Sequence, residues 1–166
     1  MHDTIFFSAC DLINLYKSKK LSPVENLKNT FDVIKKLNPK LNAFISIAEK
    51  KAMKQAKFSE LHYLNNTARK LEGIPFGVKD VIDVQQEKTT NGSKLFERSE
   101  VKKNNSTVVN KLREEGAIYI GKLHTHELAI GAPTFSGINK PASNPWDLNK
   151  TAGGSSSGSG SAVGGY

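Results

Sequence analysis

Residues 151 to 166, TAGGSSSGSGSAVGGY, are dense in glycine and hydroxyl groups, so they read either as a flexible tether or as a loop that presents serine oxygens to a reacting bond. A phosphate-cradling loop would place a lysine after its glycines, in the pattern GxxxxGK[ST], and none follows here. Gly154 to Gly158 match GxSxG with Ser156 at the centre. That elbow needs an acid and a histidine later in the chain, and residues 159 to 166 hold neither. What remains for a serine is a lysine base. An amine accepts a proton near neutral pH only where burial and neighbours disfavour its ammonium form. Lys79 ends the run Ile74, Pro75, Phe76, Val78, in the least polar stretch of the chain. The glycines beside Ser155 would let backbone come close to a substrate. Composition alone leaves the tether and the serine–lysine pair both standing.

Two smaller candidates point elsewhere. His124, Thr125, His126 and Glu127 could suggest a metal site, but two histidines two residues apart lack a third ligand, and a structural turn is the expectation. Cys10 has no partnering histidine or basic motif nearby, so a small buried residue is expected.

The elements that must position Lys79 and Ser155 follow from periodicity. Ala9, Leu12, Ile13 and Tyr16 share one helical face over residues 8 to 19. Ser22, Pro23 and Glu25 spell a capping box that opens a second helix, with Val24, Leu27, Phe31 and Ile34 buried and Asn38-Pro39 at its end. LNAFISI, 41 to 47, alternates as a strand does, and a helix from about 48 to 64 follows. The apolar run GIPFGVKDVIDV reads as a buried strand and tight turn. Ser106 caps a further helix that stops at Gly116, and AIYIGK, 117 to 122, is a second buried strand. Strand, helix, strand at this spacing predicts a parallel pair in an α/β layered fold. Residues 131 to 150 read as a long polar loop.

With 166 residues, 37% hydrophobic and 24% charged, the chain fits one globular domain. No apolar run approaches the roughly 18 residues that span a bilayer, so neither signal peptide nor anchor is expected, and a cytoplasmic location is. The net charge of +8 invites nucleic acid, but of 24 basic residues only Arg69, Arg98 and Arg113 are arginines, and the lysines are scattered over predicted helices. Specific nucleic-acid binding is therefore not expected.

GIPFGVKDVID, TTNGSKLF, GAIYIGKLHTHELAIG, NPWD and TAGGSSSGSGSAV, in this order, resemble the amidase signature family of serine hydrolases, and LSPVE and LNPKLNAFI are similar to its N-terminal region. The resemblance implies the N-terminal part of that fold, a mixed central sheet covered by helices, left incomplete. Residues 1–70 would be its mainly helical N-terminal region and 71–166 the start of its sheet. It further implies a Ser, cis-Ser, Lys triad that hydrolyses a carboxamide C–N bond through an acyl-enzyme, without metal or cofactor. Lys79 matches the family lysine. Ser155 matches the bridging serine, which follows a cis peptide bond. Gly153, Gly154, Ser156 and Ser157 would support the loop, and Asp80 would help orient the lysine.

In the family the nucleophilic serine and the oxyanion hole lie further along, in a Gly-Gly-Ser turn. The sequence in hand stops eleven residues past Ser155, so inactivity alone and a complementing C-terminal fragment are expected, with a small amide as substrate of the complete enzyme. Within the family the alternative is the A subunit of a tRNA-dependent amidotransferase, which frees ammonia from glutamine and would meet tRNA only indirectly. From another class comes a non-catalytic truncated product or scaffold fragment.

Overall fold

The computed structural model describes residues 6–132, 138 and 140–165. Ser8 opens helix α1 (Ala9–Lys17) with a capping box, its hydroxyl accepting from the Asp11 amide while the Asp11 carboxylate accepts from the Ser8 amide. Helix α2 (Pro23–Leu41) begins with the box read from the sequence, Ser22 and Glu25 exchanging the same two bonds.

α2 does not stop at Asn38-Pro39, as expected, but runs on to Leu41. A proline in the last turn removes one backbone bond, and two other features outweigh that loss. Asn42 closes the helix in the left-handed conformation at φ 54°. The Asn38 side chain accepts from the Phe44 amide at 2.8 Å and donates to the Phe44 carbonyl at 3.0 Å, which staples the helix end to strand β1 (Phe44–Ile47). Leu41 is thus a buried helical residue and not the first residue of the strand.

Helix α3 (Glu49–Leu64) lays a face of small residues, Ala52, Ala56 and Ser59, against the rest of the fold, and carries Tyr63 to the α1 side. Strand β2 (Pro75–Lys79), helix α4 (Thr107–Glu114) and strand β3 (Ile118–Leu123) make the expected crossover, with β2 parallel to β3. β1 pairs antiparallel on the other side, so the sheet order is β1-β3-β2. All six residues of β3 are buried, Lys122 among them, as suits a strand covered on both faces. One face packs Ile118, Ile120 and Leu123 among Leu27, Phe31 and Ile34 of α2 and Ala52 and Ala56 of α3. The other packs Tyr119 with Val78, Val84 and Val109. This mixed α/β architecture matches the expected fold class. Ser106 takes the N-cap position of α4, yet its hydroxyl makes no capping bond; its amide donates to the Asp83 carbonyl instead.

The entry to β2 is fixed by a buried carboxylate. Glu72, fully buried, accepts from Arg69 Nε at 2.6 Å and from Ser59 Oγ at 2.5 Å, while Tyr63 Oη donates to its backbone carbonyl. Gly116 sits against it with φ +94°, and a Cβ there would lie 2.8 Å from Glu72 Cα, so the helix-ending glycine is also a packing requirement.

Two corrections concern the C-terminal quarter. Of the expected long loop, residues 133–137 and 139 lie outside the described residues, and the segment after them is partly paired: β4 (Ser143–Asn144) and β5 (Asp147–Thr151) form a hairpin around Pro145-Trp146. The Gly/Ser tract turns helical from Ser157 to Gly165, helix α5, although glycine is a poor helix former. Packing overrides propensity there. A Cβ on Gly158 would fall 2.3 Å from the His124 amide nitrogen and 2.4 Å from the Ala43 carbonyl oxygen, so only glycine lets the first turn of α5 rest on the end of β3.

Candidate active site at the end of the central strands

Lys79 is the last residue of β2, and Ser155 lies in the loop between β5 and α5. The fold brings these two together across 76 positions: Lys79 Nζ stands 2.6 Å from Ser155 Oγ. The Gly154–Ser155 peptide bond is cis. Burial holds the Lys79 amine below the usual lysine range, the direction that favours its neutral, proton-accepting form.

The serine loop is shaped by two histidines just past β3, His124 and His126. His126 donates its backbone N–H to the Ser155 carbonyl at 3.0 Å, and its Nε2 lies 3.1 Å from the Gly153 carbonyl oxygen. Its Nδ1 faces the Gly131 carbonyl at 2.9 Å. One turn on, the Gly158 amide donates to the His124 carbonyl at 3.0 Å, and His124 Nδ1 meets Ser157 Oγ at 3.1 Å. Gly154 lies flat against the His126 imidazole, where a Cβ would fall 2.1 Å from the ring.

The supporting residues therefore divide by role. Gly153, with φ +73°, turns the chain and offers its carbonyl; Gly154 allows the histidine contact; Ser157 is buried on His124. Ser156 is exposed and contributes its carbonyl to the Gly160 amide at 3.1 Å. Asp80 is placed differently from the expectation that it orients Lys79. Its carboxylate turns the opposite way, to Lys122 Nζ at 3.0 Å and to the Thr90 amide at 3.2 Å. Alternation along the strand explains this, because neighbouring side chains leave opposite faces. The Lys122 contact is an ion pair whose angles fall outside a hydrogen bond, while Lys122 also donates to the Ile82 carbonyl at 2.6 Å. Burial pulls the Lys122 amine down, against the opposing pull of Asp80.

The two histidines of the His124–Glu127 segment are engaged in these contacts, and among the described residues no group of three His, Cys, Asp or Glu side chains could hold a metal ion. Cys10 is exposed on α1 rather than buried, because Leu12 and Tyr16 define the inward stripe and position 10 falls outside it. Among the described residues no helix is long and apolar enough to cross a membrane. Sequence reasoning passes over His126 as a plain turn residue and does not find the Lys122 pair. The signal available for both is position, one directly after and one inside the most buried strand.

Comparison with known proteins identifies the family. Residues 25–166 match the Amidase family. The A subunit of the glutamyl-tRNA(Gln) amidotransferase of Thermoanaerobacter pseudethanolicus is 39% identical over 153 residues, covering 92% of this chain and 31% of the relative. The protein of the same name from Coxiella burnetii is 40% identical over 147 residues, 89% of this chain and 30% of the relative. The crystal structure of a bacterial aryl acylamidase of the amidase signature enzymes superposes with a TM-score of 0.83 at 29% identity, over 92% of this chain and 32% of its own. The chain thus spans about a third of the length of the relatives it matches, from their N-terminal part. With the family match running over residues 25–166, most of its length, this chain belongs to the amidase family.

Proposed function

We propose that Lys79 and Ser155 form the proton-relay half of a site that hydrolyses a carboxamide C–N bond. The observation that carries this reading is the 2.6 Å contact between Lys79 Nζ and Ser155 Oγ on a half-buried lysine whose amine burial favours as neutral. In the relay the Lys79 amine takes the Ser155 proton, and Ser155 takes the proton of a nucleophilic hydroxyl supplied from the part of the domain outside residues 1–166. That oxygen bonds to the carbonyl carbon, the C–N bond breaks, and the proton returns through Ser155 to the departing amine. Water then releases the acyl group.

The test is hydrolysis of a simple carboxamide by residues 1–166 alone and by the same chain combined with the remaining two thirds of an amidase domain as a second polypeptide. Turnover is expected only in the combination, and Lys79→Ala or Ser155→Ala is expected to abolish it. Full activity in Lys79→Ala would overturn the assignment.

A second reading is favoured by the names of the sequence relatives, which are amidotransferase A subunits. On this reading the amide is glutamine, the product is ammonia, and partner subunits complete the assembly. Ammonia release from glutamine well above that from simple amides supports it; no preference for glutamine removes it.

A further inference from the structure

We infer that His126 is a positioning residue for the proton relay: its imidazole holds the glycine side of the Gly154–Ser155 peptide, opposite the Ser155 carbonyl that its backbone holds, so that the Ser155 hydroxyl stays on Lys79. The inference rests on the proposed roles of Lys79 and Ser155, and the geometry supplies the rest. His126 is buried, at 5% exposure, beneath a loop that is otherwise exposed or half-buried. It reaches the residue before the peptide through Nε2 on the Gly153 carbonyl, and the next residue through ring contact with Gly154. The His126 backbone amide already fixes the Ser155 carbonyl, a bond any residue type except proline keeps. The side chain therefore adds what the backbone cannot: a donor to Gly153 and a flat wall for Gly154. With Nε2 of a neutral ring as the donor, Nδ1 is left as an acceptor facing the Gly131 carbonyl oxygen, so the one N–H the ring carries is spent on the serine loop.

A glutamine at this position can place an amide N–H where Nε2 stood, whereas an asparagine is too short to do so and can replace only Nδ1. This difference separates positioning from packing. The readout is the limiting rate at which p-nitrophenyl acetate acetylates Lys79 in residues 1–166, measured by mass spectrometry against the exposed Lys36 and Lys54 in the same sample. A Lys79 amine engaged by Ser155 is a masked nucleophile, so Ser155→Ala is expected to raise its rate about fivefold, the weight of one hydrogen bond. His126→Ala and His126→Asn are expected to raise it by at least half as much, and His126→Gln to return it to the wild-type rate.

A histidine that merely fills space would move the melting temperature in all three variants without this split. Wild-type labelling in His126→Asn, or equal labelling in His126→Gln and His126→Asn, overturns the inference while leaving the relay intact if Ser155→Ala still unmasks Lys79. No change in Ser155→Ala removes the relay reading, and the role of His126 with it. Should His126→Ala fail to fold, the Gln and Asn pair alone decides.

Discussion

Lys122 and Asp80 bury an ion pair between β3 and the residue after Lys79: Nζ lies 3.0 Å from Oδ1, and each side chain is 1% exposed. The pair fixes the end of β2, and so the base of Lys79, to the strand at the centre of the sheet. Removing one member leaves the other charged and dry. Lys122→Met is expected to cost about 3–5 kcal/mol in urea unfolding, and the double variant with Asp80→Asn to recover part of it. A loss below about 1 kcal/mol would show that the pair is dispensable.

Lys79 should betray its burial in its titration. Because burial lowers its amine, the neutral form becomes populated at lower pH than on a surface lysine. The pH at which acetylation of Lys79 reaches half its limiting rate is expected to lie below that of Lys36, and any relay using it gains rate as pH rises through that point. A midpoint equal to that of Lys36 would contradict a base whose amine is lowered by partial burial.

Glu72 gives the fold an acid-sensitive joint. Burial alone would push its carboxyl up, but the bonds from Arg69 and Ser59 outweigh it and leave it below the ordinary 4.5. A depressed carboxyl contributes stability that is complete above the unfolded value and is lost as pH falls through the native one. Wild type is therefore expected to lose stability more steeply than Glu72→Gln below pH 4.5, in thermal unfolding at stepped pH. At neutral pH Arg69→Met is expected to cost about 2 kcal/mol, less than a fully buried pair, because the guanidinium side chain is 43% exposed.

Gly158 tests why a glycine-rich tract is helical. Gly158→Ala would drive a methyl into the His124 and Ala43 backbones, whereas a Cβ on Gly160 meets only the Ala152 carbonyl at 3.3 Å. Gly158→Ala is expected to destabilise by about 2 kcal/mol more than Gly160→Ala, measured by urea unfolding. Equal effects would place the determinant elsewhere.

Much of this arrangement is legible in the residues. The Ser22 and Glu25 box, the β2–α4–β3 crossover and the buried β3 follow from local pattern, because capping and periodicity act within a few positions. The approach of Lys79 to Ser155 is not legible that way, since nothing local relates residues 76 apart; only the ordered motifs suggest it. α5 escapes local pattern because its helicity comes from contact with His124 and Ala43 rather than from propensity. Adjacency in sequence ties Asp80 to Lys79, whereas strand alternation sends it to Lys122. Leu41 reads as strand when Pro39 is weighed by its missing amide alone, without the Asn38 staple behind it.

The order of these segments along the chain also sets an order in time. Lys79, α4, β3 and the 124–126 grip all leave the ribosome before Ser155, whose 76-residue delay behind Lys79 is about 4–15 s at ordinary elongation rates. The residues that shape the serine loop thus precede it along the chain, His126 lying 27 positions before Gly153. Each newly synthesised Ser155 emerges after the groups that will grip it, its base first among them.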